Sequence, residues 1–451
     1  MEIAIVGAGY VGLVTAACLA SLGTTVRVLE SNPDRVIALR DGISPIAERG
    51  LDDLLAEGLA AGRLSFSSDP ATLHGCRLVI VAVGTLDTAG DWTDRLVRQV
   101  VLAIAGDPAA PRAIVIRSTL LPGTAVRLAA EVSAVDSSVE VAFNPEFTRE
   151  SSAVDDFLHP DRIVIGVARP GASALEVDLR QIYAPLEAPV LVADRTSAEM
   201  IKMASNVFLA TKITFANELA RLCEAIGADV GAVVDGLGFD KRIGRNFLSP
   251  GPGFGGSCLP SQARALPALA RQHGLANGLF AAVDPSNAAQ AEWLIDLAEQ
   301  ARGRSLGGSR VALLGLTFKA GTGDLRESPA LRIAAGLIAR GATVRAFDPI
   351  ATETGVAELK RSGQVVEAAT SALEAVRDAE VVVIATEWPE FRGLDWSAVR
   401  SRMAGDLIVD ARHVVDAAGA AAVGLRVVGV GHPRPAGAGS APGAVADRTV
   451  A

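Results

Sequence analysis

The chain's 451 residues exceed what one hydrophobic core organises and suit two or three domains. Half the residues are apolar and 21% are charged, so packed globular structure is expected through most of the length. A net charge of −9 argues against nucleic-acid binding through a basic surface, yet a helix N-terminus with a few Arg or Lys can still hold a small anion.

In chain order, residues 3–6 read as a strand from the very start. No basic, apolar leader precedes them and no apolar run is long enough to span a bilayer, so a cytoplasmic location away from the membrane is expected. Residues 25–29, 78–83, 113–116 and 139–142 are also strand-like, with amphipathic segments at 12–22 and 35–39 between them. This alternation predicts a parallel sheet with helices on both faces. From Arg195 to about Ala228 the pattern changes. Met200, Met203, Val207, Leu209, Ile213, Leu219, Leu222 and Ile226 recur at helical spacing, and Gly227 stands where a helix would stop. A helix of that length is expected to run between domains and to offer a face for self-association. After Arg304 the α/β pattern returns, with strands at 311–314, 343–347, 380–384 and 407–409 and a helix at 330–339. From His432 onward Ala, Gly, Pro and Ser dominate, and a disordered tail is expected.

Two segments carry chemistry. Gly7-Ala8-Gly9-Tyr10-Val11-Gly12 follows the first strand and opens a helix, and Glu30 closes the second strand. In this pattern Gly7 permits a tight turn, Gly9 lets backbone approach a pyrophosphate, and Gly12 allows helix and strand to pack closely. The helix N-terminus supplies free N–H groups and partial positive charge. Glu30 suits the ribose hydroxyls and would repel a 2′-phosphate, so NAD is favoured over NADP; Arg27 and Arg35 lie near enough in sequence to weaken that preference. The turn Gly315-Leu316-Thr317-Phe318-Lys319 in the second half lacks a third glycine and suits another phosphate-bearing ligand.

The second segment surrounds one of four cysteines. Cys18, Cys76 and Cys223 sit in apolar stretches as small buried hydrophobes. With no C-x-x-C pair, neither a disulfide framework nor a metal site is expected. Cys258 instead ends the run Pro250-Gly251-Pro252-Gly253-Phe254-Gly255-Gly256-Ser257, where backbone can wrap a ligand and present a thiol.

Read together, GAGYVGL at the start, VGT at 83–85, RST at 117–119, NPEFTRE at 144–150, FLHPDRIVIG at 157–166, SAEMIKMASN at 197–206, FGGSC at 254–258, GLTFKAGTGDLRESP at 315–329 and TEWPEF at 386–391 resemble the UDP-glucose 6-dehydrogenase family, with GDP-mannose dehydrogenases as near relatives. The resemblance runs to about Val415. It implies two Rossmann-like parallel-sheet domains joined by a long central helix and a helical middle domain: residues 1–194 for NAD, 195–302 for dimerisation and the cysteine loop, and 303–431 for the nucleotide sugar. It implies NAD-dependent oxidation of a sugar-nucleotide primary alcohol to a carboxylate, with Cys258 holding the half-oxidised carbon as a thiohemiacetal and then a thioester. Lys202 and Asn206, four residues apart on one helix face, match the oxyanion donors, and Glu146 with Thr119 a base acting through water. Tyr10, Val11, Arg35, Thr85, Thr119, Glu150 and Arg326 fall at cofactor positions. Phe147, Glu150, Phe247, Leu248, Gly251, Gly255, Phe318, Lys319 and Arg412 fall at positions holding the sugar nucleotide. Arg242 matches the arginine that reaches a neighbouring subunit's site, so a homodimer or larger homo-oligomer is expected.

The chain departs from the family after Cys258-Leu259-Pro260, where Ser261-Gln262 replaces the usual Lys-Asp. Gln262 could still bond Lys202 but brings neither charge nor base. Leu86 stands where Pro is common, and Gly323 where many bacterial relatives carry Asp. Arg242-Ile243-Gly244 and Thr386-Glu387-Trp388 favour UDP-glucose over GDP-mannose, with TDP-glucose left open. A half-active or non-catalytic relative is the rival reading.

Overall fold

The computed structural model describes residues 1–87, 90–275 and 278–431. It divides into two compact units, Met1–Phe208 with Ser257–Phe280, and Leu209–Gly256 with the chain from Ala281 onward.

The first unit holds strands β1 (Glu2–Val6), β2 (Thr25–Leu29), β3 (Leu64–Ser67), β4 (Val79–Val81), β5 (Ala113–Ile116), β6 (Glu140–Phe143), β7 (Ile163–Val167) and β8 (Val190–Asp194). They form one sheet in the order β3-β2-β1-β4-β5-β6-β7-β8, parallel except where β6 meets β7. Successive residues of β1 feed opposite faces, as the two-residue repeat of a strand requires. Ile3 and Ile5 pack with Leu13, Val28 and Leu55, while Ala4 and Val6 pack with Val79, Val101 and Phe143. Helices cover both faces, which is why β1 reads as a continuous apolar run. The strand order reverses between β1 and β4, and in such sheets the crevice at that reversal is where ligands bind.

The second unit repeats the plan with β9 (Arg310–Leu314), β10 (Thr343–Phe347), β11 (Val366–Ala368), β12 (Val381–Ile384), β13 (Leu407–Asp410) and β14 (Arg426–Gly429). Their order is β11-β10-β9-β12-β13-β14, parallel throughout. Here Val311 and Leu313 serve one core and Ala312 and Leu314 the other. Both sheets are Rossmann-like, as the motifs implied.

Strands at 25–29, 113–116 and 343–347 have the expected bounds, and the long helix runs Arg195–Ile226, ending before Gly227 at φ 77°. The helix expected at 12–22 begins two residues earlier, at Tyr10, so the fingerprint itself forms the first turn. Strands β3, β7, β8, β11 and β14 were not anticipated. The expected tail from His432 lies outside the described residues. Among the described residues no helix is long and apolar enough to cross a membrane.

Candidate active site

The turn after β1 has the shape the glycines predicted. Gly7 adopts φ +100°, and a Cβ there would meet the Ala82 carbonyl oxygen at 2.7 Å. A Cβ on Gly12 would collide with the Gly7 carbonyl, whereas the same atom on Gly9 would have nothing within 4 Å. Tight turn, open approach and close packing are thus divided among three glycines, and the helix Tyr10–Ser21 starts with no side-chain cap on its free N–H groups. Glu30 accepts from the N–H groups of Ala8 at 3.0 Å and Asn32 at 2.9 Å, with the Arg35 guanidinium 3.5 Å away. Burial works to raise the Glu30 pKa, but these bonds and the Arg35 charge hold it below the usual carboxylate range. An ionised acid beside an open glycine turn fits NAD. Val11 packs against the core of this face, and Thr85 is half-buried with its carbonyl accepting from Thr93 at 2.8 Å.

The loop after β6 carries the carboxylates. Asn144 is fully buried and fixes it: Nδ2 donates to Val164 O at 2.8 Å, and Oδ1 accepts from Arg117 at 2.9 Å and Tyr183 at 2.6 Å. Glu146 follows, also buried. Its Oε1 accepts from Lys202 Nζ at 2.8 Å, and its Oε2 accepts from the N–H and hydroxyl of Thr148 at 2.5 and 2.7 Å. Desolvation would push this carboxyl up, but the ammonium and the Thr148 donors outweigh it and keep the pKa low. Lys202 is only 2% exposed, so the pair is a desolvated ion pair in which each charge depends on the other. Two cations lie over the Phe147 ring, Arg162 4.0 Å and Lys202 5.4 Å from its centre. Arg162 also donates to Ser205 at 3.1 Å. Its part was not foreseen, although it stands within a quoted motif.

Cys258 opens the helix Cys258–Gln272, so its sulfur sits at a helix N-terminus, where the dipole favours thiolate. The residue is exposed, but desolvation of the sulfur still pushes the thiol pKa up. Lys202 pulls it down, while Glu146 and Glu150 raise it further. Lys202, Glu146, Glu150 and Cys258 therefore share one electrostatic neighbourhood in the first unit. Asn206 lies one turn beyond Lys202 and is half-buried, and the carbonyl of half-buried Thr119 accepts from Trp92 Nε1 at 3.2 Å. Gln262 is 4% exposed and its Oε1 has no hydrogen-bond partner among the described residues. The bond expected between Gln262 and Lys202 is not made, and Lys202 donates to Glu146.

Glu199, one turn before Lys202, was missed. It accepts from Gly123 N at 2.7 Å and Ala125 N at 2.6 Å, fixing the start of the helix that follows Thr119. Burial lifts its pKa to about 7 against those bonds.

In the second unit the glycine loop is held by amides. Gly251 N donates to Asn217 at 2.7 Å and its carbonyl accepts from Gln290 at 2.9 Å, while Asn287 bonds both backbone groups of Phe254 at 2.8 and 3.0 Å. A Cβ on Gly255 would meet Glu327 O at 2.5 Å and Phe318 at 2.9 Å, so only glycine fits. Arg412 donates to Phe318 O at 2.9 Å and pairs with Glu387 at 3.0 Å. Lys319 lies 5.6 Å from the Phe318 ring centre. Phe247 takes a left-handed φ of 64°, next to buried Leu248. Arg242 points to solvent, 88% exposed and bonded to Asp240, and Arg326 bonds Asp324.

Three family models match the chain in succession: the NAD binding domain, the central domain and the UDP binding domain of the UDP-glucose/GDP-mannose dehydrogenase family, over residues 1–187, 196–289 and 312–417. The UDP-glucose 6-dehydrogenase of Pseudomonas aeruginosa is 42% identical over 457 residues, covering 96% of this chain and 98% of that protein. The structure of a UDP-glucose dehydrogenase from the archaeon Pyrobaculum islandicum superposes with a TM-score of 0.86 at 36% identity, covering 96% and 98% of the two chains. That of a UDP-D-ManNAc dehydrogenase from Pyrococcus horikoshii gives 0.83 at 26%, covering 96% and 99%. Glycine turn, buried Lys–Glu pair, N-terminal thiol and these full-length matches agree: the chain belongs to the UDP-glucose/GDP-mannose dehydrogenase family of NAD-dependent enzymes.

Proposed function

We propose that the protein oxidises C6 of UDP-glucose from primary alcohol to carboxylate through a covalent adduct on Cys258. The single observation that carries this reading is the buried Lys202–Glu146 pair at 2.8 Å with the Cys258 thiol in its field. The Gly7–Gly12 turn and Glu30, with Tyr10, Val11, Arg35 and Thr85, would hold NAD, which would supply a hydride acceptor for each of the two oxidations; the resemblance adds Arg326 to the cofactor set. The chain's own groups do the rest. Water held by Glu146 and Thr119 receives the hydroxyl proton at the first oxidation. The Cys258 thiolate then adds to the aldehyde carbon, and Lys202 and Asn206 steady the oxygen of the thiohemiacetal. Loss of the second C–H leaves a thioester; water adds, and the sulfur leaves as thiolate. Phe147, Glu150, Phe247, Leu248, Gly251, Gly255, Phe318, Lys319 and Arg412 hold the nucleotide sugar. Residues 1–194, 195–302 and 303–431 serve as NAD, dimerisation and nucleotide-sugar segments.

The test is NADH formed per sugar nucleotide consumed, with UDP-glucose, TDP-glucose, GDP-mannose and UDP-N-acetylmannosamine in parallel. Two equivalents, fastest with UDP-glucose, are expected. One equivalent would favour a second reading, in which oxidation stops at the aldehyde; the unpartnered oxygen of Gln262 in place of a carboxylate supports that reading. None would leave a binding protein. Cys258→Ala should lower carboxylate formation by about 10³-fold or more with NAD affinity intact, and undiminished turnover would end the covalent mechanism.

The partner is a second copy of this chain. Phe208, Phe215, Leu222 and Ile226 are all exposed along the long helix at spacings that keep them on one stripe. Phe215→Glu should convert a dimer to monomer in light scattering. The four free cysteines suit the reducing cytoplasm.

A further inference from the structure

Glu48 has no part in the chemistry above, yet it is 8% exposed and both its oxygens are engaged. Oε1 accepts from Ala153 N, 3.0 Å away, at the first position of the helix Ala153–Leu158. Oε2 accepts from the hydroxyl of Tyr10, the first residue of the fingerprint helix. That hydroxyl in turn accepts from Ser151 N at 3.0 Å. Ser151 holds a left-handed φ of 65°, and its own hydroxyl bonds the Glu150 carbonyl at 2.6 Å. A non-glycine residue in that region costs about 1–2 kcal/mol and persists only when its surroundings over-determine it. Tyr10 and Glu48 hold Ser151 from the side of the fingerprint helix, while Arg149 N on Asp156 at 2.7 Å and Ser152 N on Arg149 O at 3.1 Å hold the turn from its own loop. The Tyr10 hydroxyl is the acceptor of the Ser151 N–H, directly after Glu150.

We propose that Tyr10 and Glu48 are positioning residues, clamping the dinucleotide turn to the Glu146–Glu150 segment so that an occupied turn sets the pose of Glu150. The clamp stays a donor–acceptor pair at working pH, because burial and the neighbouring carboxylate push the Tyr10 pKa well above its ordinary value. The consequence for turnover rests on the function proposed above; the coupling of turn to loop does not.

Two measurements test it. In the parent protein, NAD alone should slow amide exchange at Ser151 and Ala153 by about threefold or more, and Tyr10→Phe should abolish that slowing. Unchanged exchange on adding NAD would overturn the proposal without any variant having to fold. With UDP-glucose, Tyr10→Phe and Glu48→Gln should each lower kcat by about tenfold or more, and Glu48→Gln, outside the NAD-holding set, should move the KM for NAD by less than about threefold. The double variant should be no worse than the worse single, since both break one linkage. Wild-type kcat in a folded variant, a loss that tracks only the fraction folded, or multiplied losses in the double variant would each refute the clamp. If the parent turned over no UDP-glucose, the substrate reading alone would fall, and the exchange result would still decide.

Discussion

The two Rossmann-like units begin alike and then diverge. After β1, Gly7 N donates to Leu29 O at 2.8 Å; after β9, Gly315 N donates to Phe347 O at 2.8 Å. The next N–H reaches the acid after the second strand in both, Ala8 to Glu30 at 3.0 Å and Leu316 to Asp348 at 2.8 Å. Then Gly9 leaves an open approach, whereas Thr317 is fully buried in the corresponding place and donates twice to Asp348. Asp348 also accepts from Trp388 Nε1, Ile350 N and Ala351 N at 3.1, 3.1 and 3.0 Å. Thr386 closes the second turn, bonding Thr317 O at 2.7 Å. Glu30 keeps only two firm backbone donors; Ser31 and Arg35, at 3.3 and 3.5 Å, are loose enough to yield to a ligand. The same turn thus stands open in the first unit and is closed on itself in the second, depending on whether its acid is spent on the chain itself.

That contrast can be broken in graded ways. Asp348→Ala should have the largest effect, orphaning several buried donors and lowering unfolding free energy in urea by about 4 kcal/mol, with NAD affinity unchanged. Lys202→Met should lower kcat by about 10²–10³-fold. It should also move iodoacetamide labelling of Cys258 to higher pH, because the cation that lowers the thiol pKa is gone; Glu146→Gln should move it lower. Glu30→Ala should weaken NAD by about tenfold to thirtyfold, with stability changed by about 1 kcal/mol, measured by calorimetry and melting. Because the folded Glu30 pKa is depressed, its contribution should hold as pH falls through 5 and fade only below the usual carboxylate value of about 4.3. Arg35→Ala should do least, shifting the NAD-to-NADP preference by about 1 kcal/mol or less.

Much of this was legible in the sequence. Residues 25–29 and 343–347 each open on a β-branched Thr-Val pair and alternate to strand length between turn signals, and both are strands. β3 escaped because two of its four residues are serines, and β7 because Gly166 interrupts its apolar run. Cys258, Lys202 and Glu146 were legible through motifs, and Lys202 and Glu146 do meet. What pattern could not give is who partners whom across the fold. Lys202 pairs with Glu146, and Tyr10 finds Glu48 and Ser151, pairings that depend on how β6, the fingerprint helix and their loops pack.

The lone oxygen of Gln262 has a thermodynamic consequence. A carbonyl deprived of water and given no donor costs about 1–3 kcal/mol. Leucine of similar volume at that position would make a firmer protein, with a higher melting temperature and one less acceptor near Cys258. Keeping an amide there places an unpaired acceptor one helical turn from the thiol, at the cost of stability that leucine would recover.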